Sequence, residues 1–227
     1  LFAASHCDED ARFADWQEFY ARRGVRLETL QRPAVRYEAL KPARLSYAVY
    51  TQLKDRRFDI IHFPDYQGLG YYSLLAKRAG LAFTSATLCV VFNGPHEWIY
   101  EGNHTLPSTL EELQLFHFER KSVEWADVVV FPTDYARDWA EQSGWKLPER
   151  RFVEAYVRPW TALAPYRGPR SRFKELVFFG RLETRKGLEL FIEACQLLPP
   201  AALSSVRVTF LGRWGTFEGE PARAKVL

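Results

Sequence analysis

Along this chain, short runs of continuously apolar residues alternate with stretches in which apolar residues return every three or four positions. Leu176, Val177, Phe178 and Phe179, closed by Gly180, form one such run. It has the pattern of a strand buried on both faces of a parallel sheet. Beyond the polar turn 181–187, Leu188, Phe191, Ile192, Cys195 and Leu198 share one helical face until Pro199 and Pro200 end the helix. Earlier in the chain, 1–5 reads as a strand, followed by a helix carrying Phe13, Trp16 and Tyr20 that Gly24 closes. Strand 25–30, loop 31–41 and a helix marked by Leu45, Ala48, Val49 and Leu53 come next. Residues 58–63 predict a buried strand broken by Pro64, and a helix follows around 71–79. Strand 87–92 leads into loop 93–98, and Pro107 and Ser108 open a long helix with Leu110, Leu113, Phe116 and Val123 on its apolar face. Ser108-x-x-Glu111 has the form of its capping box. Strand 127–131, a helix N-capped by Thr133 that stops near Gly144, and strands 152–157 and 206–211 complete the series. Such alternation predicts an α/β protein, with parallel sheets covered by helices on both faces.

Periodicity lapses over 159–171, where Pro159, Pro165, Gly168 and Pro169 mark a linker. The expected division is therefore a first domain at 1–158 and the start of a second at 172–227. At 227 residues, 47% apolar and 26% charged, the chain has room for one domain and part of another. It contains no Met and begins inside a strand, so the expectation is a piece of a longer protein. A net charge of +3 gives no case for nucleic acid. Cys7, Cys89 and Cys195 lack the spacing of a disulfide framework or a zinc site. No apolar run approaches the roughly 18 residues of a membrane span, and no signal peptide is evident, which makes the cytoplasm the default location.

Candidate chemistry concentrates at the turn after 176–179. A strand's carboxyl end leading into a helix amino end is where ligands bind in open α/β sheets, and the free N–H groups there favour an anion. Arg181, Arg185 and Lys186 fall in this turn, which points to a phosphate or diphosphate. Neither G-x-G-x-x-G nor a P-loop is present, since Gly187 stands where a P-loop has Ser or Thr. A turn made by Gly180 and Gly187 beside a solvated cationic face is the alternative reading.

The string Gly180-Arg181-Leu182-Glu183-x-x-Lys186-Gly187 after an apolar strand resembles the donor-phosphate motif of glycosyltransferase family 4. That family is the GT-B group of nucleotide-sugar-dependent, retaining enzymes. The resemblance implies two Rossmann-like parallel-sheet domains, the second truncated here, with the first βα unit also missing. It further implies that Arg181 and Lys186 contact the diphosphate of a nucleoside-diphosphate sugar, with Gly180 and Gly187 shaping the site. Neither a metal nor another cofactor is implied. The segment 65–70 resembles the acceptor-domain stretch of family members, which puts Asp65 and Tyr66 on the acceptor or sugar side. The run 125–133 likewise resembles the family's Ala-Asp, apolar strand and Pro-Thr. Where the family commonly has a His beside the donor sugar this chain has Asn93, with His96 three residues on and Glu97 next to it. Asn93 and His96 join Arg181 and Lys186 as the residues expected to serve catalysis. An Asn can hydrogen-bond a hydroxyl but carries no proton at neutral pH.

The implied reaction is transfer of a sugar, with retention, to a glycan or lipid-linked acceptor. Polysaccharide or lipopolysaccharide biosynthesis, in the cytoplasm or peripherally at the inner face of the membrane, is the expected setting. The family's glutamate pair would lie beyond 227, so the piece alone is expected to be inactive. Alternatives are a noncatalytic GT-B-fold binding module, or a nucleotide-sugar epimerase or storage-glycan synthase on the same fold. Asp8-Glu9-Asp10 matches the metal-binding D-x-D of the other glycosyltransferase fold, against a competing reading as acidic residues at a helix amino end. His62 reads as a core histidine, and His117 and Glu124 as partly exposed helix residues.

Overall fold

The computed structural model of the chain describes residues 2–4, 13–31, 33, 38–156, 174–217 and 220–221. Its described residues fall into two compact units, one drawn from Leu1–His96 with Thr109–Ala155, the other from Glu97–Ser108 with Tyr156–Leu227. The expected linker at 159–171 and Asp8, Glu9 and Asp10 lie outside the described residues.

The first unit is an α/β layer structure. Strands β1 (Phe2–Ala4) and β2 (Leu27–Thr29) pair in parallel, joined through helix α1 (Phe13–Ala21). Strands β3 (Ile60–Pro64), β4 (Thr87–Val91), β5 (Val128–Phe131) and β6 (Arg151–Val153) form a parallel sheet in that order. Helices α2 (Lys41–Leu53), α3 (Tyr71–Arg78), α5 (Leu110–Trp125) and α6 (Asp134–Gln142) belong to the same unit. Leu88, Val90, Phe92, Val129 and Phe131 are fully buried, as the apolar runs of β4 and β5 require of central strands.

Two polar devices lock helices onto this sheet. Ser46 Oγ, buried in α2, accepts a hydrogen bond from Tyr72 N at 3.0 Å and donates to Leu69 O at 3.2 Å. Asp127 Oδ2 accepts from Leu88 N at 2.7 Å and from Lys77 Nζ, so the Ala-Asp before β5 ties that strand to β4 and to α3. The α5 capping box is one residue later than the sequence suggested. Thr109 Oγ1 accepts from Glu112 N at 3.2 Å, and Glu112 returns a bond to Thr109 N at 3.0 Å. Thr133 caps α6 as expected, accepting from Ala136 N.

Two expectations need correction. His62 is exposed, because β3 is an edge strand whose residues alternate and only Ile61 and Phe63 point into the core. His96, Glu97 and Trp98, expected in the loop 93–98, instead begin a short helix, α4 (His96–Gly102).

In the second unit β7 (Glu175–Phe179) pairs in parallel with β8 (Arg207–Leu211), and helix α7 (Leu188–Gln196) connects to α8 (Pro200–Leu203). Phe178, Leu182 and Leu188 are buried together against Phe191, Ile192 and Phe210. Burial of β7 on both faces is not observed: Phe179 is 82% exposed and Val177 is also on the surface. Helix α7 covers one face, and among the described residues nothing covers the other. Short strands β9 (Thr216–Phe217) and β10 (Glu220–Pro221) pair antiparallel.

Candidate functional site

Because β3 and β4 run parallel, the chain leaves both at the same edge of the sheet, and 65–70 emerges beside 92–96. Asp65 N donates to Val91 O at 3.0 Å, continuing the ladder one step past β3. The Asp65 carboxylate is fully buried. Its Oδ1 accepts from Tyr66 N at 2.6 Å and Asn93 N at 2.9 Å, and Oδ2 accepts from Gly94 N at 3.2 Å. One side chain thereby sets the main-chain course of both loops. Burial pushes its pKa up to about 7, with the nearby Glu119 charge adding to the rise against the pull of the three N–H donors.

A second buried carboxylate completes the arrangement. Glu119, on α5 and also fully buried, accepts from Gln67 N at 2.7 Å through Oε1 and from His96 N at 2.7 Å through Oε2. Its Oε1 lies 2.7 Å from His96 Nδ1. Gln67 has φ 65, a left-handed conformation unfavourable for a side chain larger than glycine, so the Glu119 bond helps hold a strained turn. Gly68 follows at φ 58, where an added Cβ would lie 2.5 Å from Phe118 Cβ. Only glycine lets α5 approach closely enough for Glu119 to reach the turn. Above this base the Tyr66 and His96 rings stack, with centroids 4.8 Å apart and planes 23° from parallel.

Of the expected acceptor-side residues, the structure brings Asp65, Tyr66, Asn93 and His96 together. Asn93 is exposed, and its Nδ2 donates to Val91 O at 3.0 Å. Glu97 is the second residue of α4 and belongs to the second unit. Glu119 was missed by sequence reasoning. Its signal was an acidic residue on the helix stripe that Phe116 and Val123 define, where an unpaired charge would be costly. His117 is exposed as expected. Burial and the neighbouring Lys121 and Arg120 charges lower its pKa, against the pull of Glu124. The Glu124 side chain is instead buried. It is held ionised against that burial by Lys121, Arg120 and the Lys146 N–H.

The second unit carries the basic turn. After Gly180, Leu182 is buried, and residues Thr184–Lys186 make a single tight helical turn that Gly187, at φ 76, closes before α7. An L side chain would be strained at that φ. Glu183 is buried and acts as a brace, its Oε1 2.8 Å from Arg185 Nη2 and 3.3 Å from Arg181 Nη2. Arg185 N donates to Asn103 Oδ1 at 2.9 Å. Arg181 is about half exposed, and Lys186 is exposed with no ion pair to a described residue. Gly180, Arg181, Lys186 and Gly187 therefore lie in the one segment that joins β7 to α7.

A model of the glycosyl transferase 4-like domain matches residues 3–155. The chain belongs to that family. A search of curated proteins found no match to the chain. This glycosyltransferase has the parallel α/β sheet, flanked by helices, of a Rossmann-like GT-B domain over the matched residues, and membership brings with it a sugar donor and an acceptor in general terms. The turn 180–187 lies outside the matched stretch. Among the described residues no group of His, Cys, Asp and Glu side chains is arranged to hold a metal ion. Among them, too, no helix is long and apolar enough to cross a membrane.

Proposed function

We propose that this glycosyltransferase moves a sugar from a nucleoside diphosphate to a hydroxyl of a glycan or lipid-linked acceptor, with retention at the anomeric carbon and without a metal. The observation that carries the reading is the turn after β7. There a buried Glu183 spaces Arg181 and Arg185 beside an exposed Lys186, all at the amino end of α7. Negative charge gathers on the departing diphosphate as the glycosidic bond breaks. Preorganised cations and helix N–H groups stabilise that charge without reorganising at the moment of reaction. Arg181 and Lys186 take this role, Gly180 and Gly187 letting the backbone approach. In the first unit Asp65, Tyr66, Asn93 and His96 serve the sugar or acceptor side, and Glu97 is a further candidate for it. Polysaccharide or lipopolysaccharide assembly, cytoplasmic or at the inner face of a membrane, is the setting we propose.

The test is release of nucleoside diphosphate by the native protein, supplied with UDP-, GDP- and ADP-sugars and candidate acceptors. Lys186→Ala or Arg181→Ala is expected to lower turnover by about 10²-fold, the usual effect of losing one preorganised donor. A change under twofold refutes the assignment. Asn93 at the position commonly held by His favours one second reading, a binding module that has lost catalysis. Tight nucleotide binding without turnover, with turnover appearing in Asn93→His, is the result that reading expects.

A further inference from the structure

We infer that Glu119 is a positioning residue which fixes the His96 imidazole with its proton on Nδ1, so that Nε2 is presented as a hydrogen-bond acceptor to a carbohydrate hydroxyl. The inference rests on the sugar-transfer reading above and adds to it a residue that no motif supplies. As a carboxylate Glu119 offers only lone pairs, so at 2.7 Å from Oε1 the ring nitrogen Nδ1 is the donor. The same carboxylate takes His96 N at 2.7 Å, which fixes the backbone and the ring of one residue together. Stacking on Tyr66 removes the remaining freedom of the ring plane. Nε2 makes no hydrogen bond to a described residue, and a ring whose single proton is on Nδ1 keeps a lone pair there. Tyr66 is 43% exposed, so the stack reaches solvent at the carboxyl edge of the sheet, where ligands of α/β proteins bind. A buried acid behind a histidine sets which nitrogen carries the proton, as in other sites where the partner of one ring nitrogen decides the role of the other.

Two arms test this separately from the transfer reading. In the first, ¹⁵N-labelled wild-type protein is examined at pH 8 by long-range ¹H–¹⁵N correlation. His96 is expected to show a protonated Nδ1 and a bare Nε2, and a bare Nδ1 overturns the inference whether or not the protein transfers sugar. The second arm compares initial rates of Glu119→Gln, His96→Ala and the double variant. Gln keeps the shape, but its amide nitrogen cannot accept: at the place of Oε2 it loses the His96 N bond, and at the place of Oε1 it loses both the Gln67 N and the His96 Nδ1 bonds, so His96 is released at its backbone or its ring in either orientation. Turnover is expected to fall about 10²-fold in either single variant and no further in the double variant, because Glu119 acts through His96. Multiplied losses in the double variant, or an unchanged rate in Glu119→Gln, overturn it. Should Glu119→Gln fail to fold, the first arm still decides. Should the wild type release no diphosphate from any donor, the transfer reading fails while the first arm still tests the Glu119–His96 pair.

Discussion

Replacing Asp65 with Asn is expected to change the sign of its effect on stability between acid and neutral pH. Burial raises the Asp65 pKa from 3.8 to about 7. Between those values the folded protein holds a proton that the unfolded chain has released, so stability falls as pH rises from about 4 to about 7. At about 1.4 kcal/mol for each pH unit, the fall is about 4 kcal/mol in all. Asn stays neutral and does not share it. An Asn Oδ1 can still accept from Tyr66 N and Asn93 N, but its amide nitrogen would face Gly94 N, losing the 3.2 Å bond at a cost of about 1–2 kcal/mol. The balance makes Asp65→Asn about 1 kcal/mol less stable than wild type at pH 4 and about 2 kcal/mol more stable at pH 8. Thermal unfolding of both proteins across this range reads the difference directly. At this size of protein about 2 kcal/mol is about 4–8 °C in Tm. Equal destabilisation at both pH values would refute the reasoning, showing that three backbone donors hold Asp65 ionised despite its burial.

Gly68→Ala is expected to destabilise by about 3 kcal/mol, because a left-handed residue and a 2.5 Å clash with Phe118 coincide. Gly144→Ala, at φ 72 with open space around it, is expected to cost only about 1 kcal/mol in the same denaturation assay. Thr109→Ala is expected to lose about 1 kcal/mol of stability in urea denaturation, and an unchanged midpoint would remove the capping role. Glu183→Gln removes the brace on Arg181 and Arg185, and titration calorimetry with UDP, GDP or ADP is expected to show about tenfold weaker binding of whichever nucleotide the wild type takes. Unchanged affinity there would dissociate the brace from the diphosphate.

The order and type of elements were legible because β4 and β5 are buried on both faces and so carry unbroken apolar runs, while the helices carry their own period. Edges were harder to read. β3 lies at the border of its sheet, so an apolar run that reads as fully buried has His62 and Ile60 turned outward. The α5 cap was misplaced because Ser108-x-x-Glu111 and Thr109-x-x-Glu112 are equivalent locally, and packing of Phe118 and Glu119, which sequence spacing does not show, selects the second. The basic turn could be read because its residues are adjacent. The first-unit site could not, since it joins Asp65 and Asn93, 28 positions apart, and Glu119 to Gln67, 52 apart.

Among the described residues, neither Asp65 nor Glu119 is paired with an arginine or lysine. Asp65 takes three backbone N–H groups, and Glu119 takes two and the His96 ring. An ion pair between two long side chains fixes their tips and leaves the main chain free, whereas a carboxylate that takes successive N–H groups fixes the main chain itself. That distinction matters at the carboxyl edge of a sheet, where loops lacking ladder partners must hold a side chain within about 0.5 Å if it is to recognise a ligand. The cost falls on stability, most heavily where Asp65 is driven to ionise above pH 7 beside Glu119. A fold selected for stability alone would replace the pair with apolar side chains. Keeping both acids beneath a stacked Tyr66 and His96 is the pattern of a site that gives up stability for the placement of its loops.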